Sequence, residues 1–160
     1  MTPNAVAESG SLADPAGDAP ERIDVTRLTV TNGDHWFTMR ADVAELRQKG
    51  EFTFNYWRGA SGGHLVASLL VVVDRVDGET RGRFYDCGWK DCVRAPCPRL
   101  EVKWRALKDF VWITAPQRCF PPPRTHPDAP PPAGGRFFVS GRIGDVYDSV
   151  DDAPLALERG

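Results

Sequence analysis

The sequence predicts an all-β protein, a single antiparallel β-sandwich of about seven or eight strands. The first observation is that apolar and polar residues alternate through most segments, which is the period of a strand with one buried face. The second is that 14 prolines and 15 glycines divide the 160 residues into short segments. The third is that helical periodicity is scarce. Only residues 42–50 form a short helical candidate, and their Lys-Gly ending also suits a turn that crosses between sheets.

A hairpin over residues 97–119 is the element that the pattern defines best. Its first strand alternates apolar with charged residues, and residues 110–114 are mostly β-branched or aromatic, which is typical of a strand. Pairing Trp104 with Val111 places the apolar side chains of both strands on one face. The same register brings together the two ends of the segment, each of which carries a cysteine.

The chain has four cysteines, which allow three disulfide pairings. The hairpin register favours Cys97 with Cys119, and this leaves Cys87 with Cys92 to close a short loop. A zinc site of four thiolates is an alternative, although the Cys-x₂-Cys spacing typical of such sites is absent. Free thiols are the remaining alternative. Two disulfides would indicate an oxidising compartment.

The other strands follow the same alternation and are separated by turn residues. Asn32-Gly33 is a strong hairpin signal between the first two strands. Residues 64–74 are apolar on both faces, so we expect a central strand that is covered on both sides. The predicted strands are residues 27–31, 36–41, 51–58, 64–74, 80–85, 100–104, 110–114 and 137–143.

Composition sets the expected limits of the domain. Residues 1–22 contain little that could be buried, so we predict a disordered spacer before the sandwich, which we place at residues 23–147. Within it, residues 120–135 contain seven prolines and are predicted to form a long Pro-rich loop. Residues 148–160 are predicted to be an acidic tail on the surface.

Charge and hydropathy narrow the expected partners and location. A formal net charge of −2 argues against a nucleic-acid partner, although basic residues outnumber acidic ones within 75–108. No apolar stretch reaches the roughly 18 residues of a membrane span. The residues after Met1 have neither the basic start nor the apolar centre of a signal peptide, so an exported form would be a trimmed one. We expect a monomer that is extracellular or on the cell surface.

Several of these patterns occur together in a group of known proteins. The residues concerned are Asn32-Gly33, the core set Phe37, Met39 and Ala41, and the hairpin residues Cys97, Lys108, Asp109, Val111, Ile113, Pro116 and Cys119. In this respect residues 23–147 resemble small exported bacterial proteins of unknown function that are similar to DOMON and family 9 carbohydrate-binding modules. The resemblance implies a β-sandwich but no established activity. The Pro-rich loop and the pair Cys87 and Cys92 depart from the pattern of that group.

Motifs for catalysis are absent from the sequence. It contains no His-Glu-x-x-His, no Gly-x-Ser-x-Gly and no glycine-rich phosphate loop before a helix, so we expect no catalytic residues and no cofactor. The alternative is a hydrolase whose residues converge only in the folded state. Asp145, Asp148, Asp151 and Asp152 offer oxygen ligands for Ca²⁺, but their spacing matches no known loop, and we predict a solvated acidic segment without a metal.

Tryptophan is the residue type that suggests a function. Trp104 belongs to the predicted core, whereas Trp36, Trp57, Trp89 and Trp112 are candidates for a stacking platform that binds sugar rings. The simpler alternative is that the second face of each sheet is covered. We therefore expect a non-catalytic extracytoplasmic binding module for a carbohydrate or a cell-envelope component. A protein-interaction module that uses the Pro-rich loop or the basic face is the competing hypothesis.

Overall fold

The computed structural model describes residues 8–58, 67–88, 91–119 and 134–158 as two packed antiparallel β-sheets. Single 3₁₀ turns occur at Ala106–Lys108 and Gln117–Cys119. The described strands are β1 (Glu8–Ala13), β2 (Val25–Asn32), β3 (Trp36–Val43), β4 (Gly50–Arg58), β5 (Ala67–Val76), β6 (Glu79–Cys87), β7 (Cys92–Arg94), β8 (Glu101–Arg105), β9 (Phe110–Pro116), β10 (Gly134–Ile143) and β11 (Val146–Glu158).

The two sheets confirm the predicted antiparallel sandwich, with more strands than expected. Sheet A has the order β1-β2-β3-β9-β8, and sheet B has the order β11-β10-β4-β5-β6-β7. Every neighbouring pair within each sheet is antiparallel. No helix in the described part of the chain is long and apolar enough to cross a membrane.

The core lies between the inner faces of the sheets, where the apolar residues of each alternating strand meet. The Tyr56 ring stacks on Phe137 within sheet B at 4.3 Å and meets Phe37 of sheet A edge-on at 5.5 Å. Core residues that are no more than 2% exposed include Leu28, Val30, Phe37, Met39, Val111 and Ile113 from sheet A and Phe52, Phe54, Val71, Val73, Phe137 and Val139 from sheet B.

The hairpin of β8 and β9 has the predicted register, with Trp104 opposite Val111. Asp109 ends the corner in the left-handed conformation, with φ of 52°. Trp104 is buried, and its indole N–H donates a hydrogen bond of 2.8 Å to the Arg47 carbonyl in the connection between β3 and β4. The hairpin is thereby tied to the chain segment that links the two sheets.

Both predicted disulfides are present. Cys97 and Cys119 join the ends of the hairpin with their Cα atoms 5.2 Å apart, and Cys87 and Cys92 close the short loop between β6 and β7 at 4.0 Å. All four cysteines are paired, so none is left for a thiolate zinc site. Two disulfides in a domain of this size are typical of an oxidising environment.

Residues 42–50 do not form the candidate helix. The chain leaves sheet A at Val43 and enters sheet B at Gly50, so this segment is the crossing turn that the sequence offered as the alternative. The Asp109 carboxylate accepts a hydrogen bond of 2.9 Å from the Leu46 backbone N–H. Leu46 is itself buried in the core. The backbone N–H groups of Ala44 and Glu45 donate outside the segment, to the carbonyls of Asp24 and Glu21, where a helix would use partners within itself.

Both ends of the domain differ from the sequence prediction. Residues 8–13 belong to β1, not to a disordered spacer, because the edge of β2 supplies backbone partners that composition does not reveal. At the other end, β11 (Val146–Glu158) pairs with β10 where an acidic surface tail was expected. Its Val150 and Leu157 are buried in the core. The predictions for residues 1–7 and 159–160 lie outside the described residues, as do residues 120–133 of the Pro-rich loop predicted at 120–135. Residues 134 and 135 of that predicted loop belong instead to β10.

The most hydrophobic strand is central but covered on one side only. In β5, Val71 and Val73 point into the core, whereas Leu70 and Val72 are half-buried on the outer face of sheet B. The expectation of cover on both faces was therefore wrong for the described residues. Cross-strand neighbours on β4 and β6 shield these two side chains in part.

Candidate functional site

The four candidate tryptophans do not share one surface. Trp36 and Trp112 lie on the outer face of sheet A, because their neighbours along β3 and β9 point into the core. Trp57 lies on the outer face of sheet B. The two sheets stand between these positions, and packed sheets are about 10 Å apart. Trp89 falls outside the described residues.

We call the outer face of β3, β8 and β9 the aromatic surface. Trp112 has Arg40 of β3 directly opposite on one side and Lys103 of β8 directly opposite on the other. Trp36 lies on β3 four residues before Arg40, which corresponds to about 13 Å along the strand. The surface is defined by Trp36, Arg40, Lys103, Phe110 and Trp112.

Cations contact the rings of this surface. The Lys103 ammonium lies 4.5 Å from the centroid of the Trp112 ring, and the Arg40 guanidinium lies 4.0 Å from that of Phe110. Arg40 is also held by Asp42, whose Oδ1 accepts two hydrogen bonds from it at 2.9 and 2.7 Å. Arg40 is therefore fixed in place, whereas Lys103 is exposed and has no described anionic partner.

Exposure differs between the two indoles. Trp36 is 38% exposed at the start of β3, and Trp112 is half-buried between its cationic neighbours. Both rings are therefore accessible in part, although Lys103 would have to move for a ligand to stack on the covered face of Trp112. A lysine side chain on an edge strand can do so at little cost, because its ammonium remains in water.

Hydroxyl groups line the rest of the outer face of sheet A. The Ser9 and Thr31 hydroxyls form a hydrogen bond of 3.1 Å between β1 and β2. Such groups both donate and accept hydrogen bonds, so they suit a polar ligand that lies flat on the sheet. The partly or fully exposed hydroxyl residues of this face are Ser9, Ser11, Thr29, Thr31 and Thr38.

The charge on this face is mainly positive. Its described acidic residues are Asp42 and Glu101, and Asp42 is already paired with Arg40. The basic residues that alternation places on the same face are Arg27, Arg40, Lys103 and Arg105. An excess of cations beside aromatic rings favours ligands that carry carboxylate or phosphate groups.

Trp57 has different surroundings on sheet B. Its ring meets Phe138 edge-on at 4.6 Å and is half-buried. No cation lies over this ring among the described contacts. The environment is that of a small apolar cluster on the sheet surface, which explains Trp57 without a ligand.

A pair of carboxylates also lies on sheet B. Glu51 and Asp74 face each other across β4 and β5 beside a shallow pocket of about 270 Å³. The Arg83 guanidinium stands between them, 2.7 Å from Asp74 and 3.6 Å from Glu51. Because the arginine bridges both groups, the arrangement is an ion-pair network that joins three strands.

Comparisons with protein-family models, with curated proteins and with solved structures find no match for this chain. Sequence reasoning named Trp36 and Trp112 as candidates but did not place Arg40 and Lys103 beside them. Their signal was present in the alternation, since Arg40 is in phase with Trp36 along the same strand.

Proposed function

We propose that this protein is a non-catalytic extracytoplasmic binding module whose aromatic surface binds an acidic carbohydrate of the cell envelope. The observation that carries the proposal is that Trp36 and Trp112 share one outer face, with Arg40 and Lys103 on either side of Trp112. Indole rings stack on the C–H faces of sugars, and cations bind carboxylate or phosphate substituents.

The rigidity of the sheet supports this function. The two indoles project from sheet strands, and Asp42 holds Arg40 in place before a ligand arrives, so little conformational entropy is lost at these residues on binding. The distance of about 13 Å from Trp36 to Arg40 and Trp112 along the strand suits an oligosaccharide better than a single sugar. Two disulfides support a location outside the cytoplasm, where such ligands occur.

Binding is tested by titrating acidic and neutral polysaccharides against the intrinsic tryptophan fluorescence. We expect Trp112→Ala to weaken binding of acidic polysaccharide about tenfold, which corresponds to about 1.4 kcal/mol. Trp57→Ala is the matched control, because it removes an indole of similar burial from the opposite face. Circular dichroism of both variants checks that the sandwich is intact.

A second pair of variants separates the aromatic from the electrostatic contribution. Lys103→Ala should weaken binding of acidic polysaccharide more at low salt than at high salt, because screening already reduces the attraction. Equal binding of neutral and acidic polymers would refute the acidic specificity. No binding of any glycan, or equal losses in Trp112→Ala and Trp57→Ala, would refute the proposed site and favour the protein-interaction module.

A further inference from the structure

Four aspartates meet at one end of the sandwich, where the connection between β1 and β2 approaches the start of β11. Asp14 and Asp18 come from this connection, Asp24 immediately precedes β2, and Asp148 lies in β11. Carboxylate oxygens of Asp14, Asp18 and Asp148 all lie within 4.8 Å of one another. Asp148 is at least 130 positions from both Asp14 and Asp18, so only the fold brings it to them.

Two of the four carboxylates are buried. Asp24 is 1% exposed and Asp148 is 8% exposed. Backbone N–H groups satisfy one oxygen of each, since Gly17 donates to Asp24 Oδ2 at 2.7 Å and Val25 donates to Asp148 Oδ2 at 2.9 Å. These bonds place Asp24 between the loop that carries Asp18 and the strand that carries Asp148.

The second oxygen of Asp24 is an independent indication of a ligand. Asp24 Oδ1 is buried and has no hydrogen-bond partner among the described residues. No lysine or arginine of the described chain forms an ion pair with Asp24 or Asp148. A buried carboxylate oxygen without a proton donor or a cation is costly, because desolvation disfavours its charge.

The pKa of Asp148 reflects its burial among other carboxylates. Burial raises the pKa of its carboxyl group, and the nearby charges of Asp18 and Asp24 raise it further. The backbone N–H groups of Val25 and Ser149 act in the opposite direction. The Asp148 carboxyl group thus lies in a place that disfavours its negative charge.

We propose that Asp14, Asp18 and Asp148 form a Ca²⁺ site beside the buried, unpartnered Oδ1 of Asp24. Calcium binds carboxylate and carbonyl oxygens at about 2.3–2.6 Å, so two oxygens on opposite sides of the ion are about 4.6–5.2 Å apart. The three clustered carboxylates, all within 4.8 Å, are therefore within reach of one ion. Magnesium is a poorer fit, because it demands nearly ideal octahedral geometry at about 2.0–2.1 Å.

The position of the site indicates a structural role for the ion. Asp14, Asp18 and Asp24 flank strands of sheet A, and Asp148 belongs to the edge strand of sheet B. A bound cation would therefore join the two sheets at one end and offset the repulsion among the buried carboxylates. The site is formed by residues outside the aromatic surface, so it does not depend on the proposed carbohydrate binding.

The test is calorimetric titration of the chelator-treated full chain with CaCl₂, together with thermal unfolding in Ca²⁺, in Mg²⁺ and in EDTA. At a free calcium concentration about 100-fold above the dissociation constant, we expect the unfolding midpoint to rise by about 5–10 °C relative to EDTA. Asp148→Asn should abolish this calcium-dependent rise. It should not destabilise the protein in EDTA, because it removes a buried charge.

Two more variants keep the result interpretable. Asp18→Asn changes an exposed ligand and should also reduce the calcium response, even if Asp148→Asn fails to fold. Asp145→Asn is the matched control, an exposed aspartate in the turn before β11 that lies outside the cluster.

Absence of both binding heat and a midpoint shift in the native protein would overturn the site. An unchanged calcium response in Asp18→Asn and Asp148→Asn would do the same, and an equal response to Mg²⁺ would overturn the assignment to calcium.

Discussion

Removing the disulfide between Cys97 and Cys119 by a double change to alanine should lower stability more than removing the one between Cys87 and Cys92. The first bond closes a loop with a sequence separation of 22 and the second closes one of only 5. In the chain-entropy model these loops contribute about 3.4 and about 2.1 kcal/mol to the free energy of unfolding. The longer loop restricts the unfolded chain more, which is the source of the difference.

The expected losses are measurable as shifts in the unfolding midpoint. With an unfolding entropy of about 2.1 cal/mol/K per residue over about 130 ordered residues, 3.4 kcal/mol corresponds to about 12 °C and 2.1 kcal/mol to about 8 °C. Differential scanning calorimetry of the two double variants, checked by urea denaturation, gives both quantities. The native protein with reductant is the reference for the loss of both bonds.

Loop closure and local packing act in the same direction here. Cys87 and Cys119 are both buried, but only Cys119 belongs to the hydrophobic core, and Cys97 packs against that core. The hairpin variant therefore loses core contacts as well as the longer loop. A loss for Cys87 and Cys92 that equals or exceeds the loss for the hairpin pair would refute the loop-length argument.

Two further changes probe the core. Gly141→Ala would place a Cβ atom 2.8 Å from the Ile23 carbonyl oxygen, and we expect the free energy of unfolding in urea to fall by about 1–3 kcal/mol. Gly88→Ala, whose Cβ would have no neighbour closer than 3.9 Å among the described residues, is the control and should have little effect. Trp104→Phe removes the hydrogen bond to the Arg47 carbonyl and should cost about 1–3 kcal/mol in the same assay. Native stability of either core variant would contradict the corresponding contact.

The sequence by itself determined the local features of this protein. The hairpin of β8 and β9 was predictable in register and in its disulfide, because alternation decides which face each side chain occupies and the two strands are adjacent in the chain. The first hairpin at Asn32-Gly33 was predictable for the same reason. The sandwich fold followed from many such short strands together with the lack of helical periodicity.

Tertiary structure alone decided the ends of the domain. Residues 8–13 carry no strong strand signal, yet they pair with the edge of β2. Asn32 also depends on a residue far away in the chain. It is buried and donates a hydrogen bond of 3.3 Å to the Leu157 carbonyl of β11. Edge pairing and contacts between sheets depend on which chain segments are neighbours in space, and composition does not encode that.

The candidate sites divide in the same way. Alternation correctly placed Trp36 and Trp112 on a face opposite the core, but only the strand order showed that they share that face and that Trp57 does not. The acidic cluster was beyond sequence reasoning, which considered Asp148 only with its neighbours along the chain. Its actual companion Asp14 is more than 130 positions away, and only the packing of β11 beside β1 and β2 brings such distant carboxylates within a few ångströms.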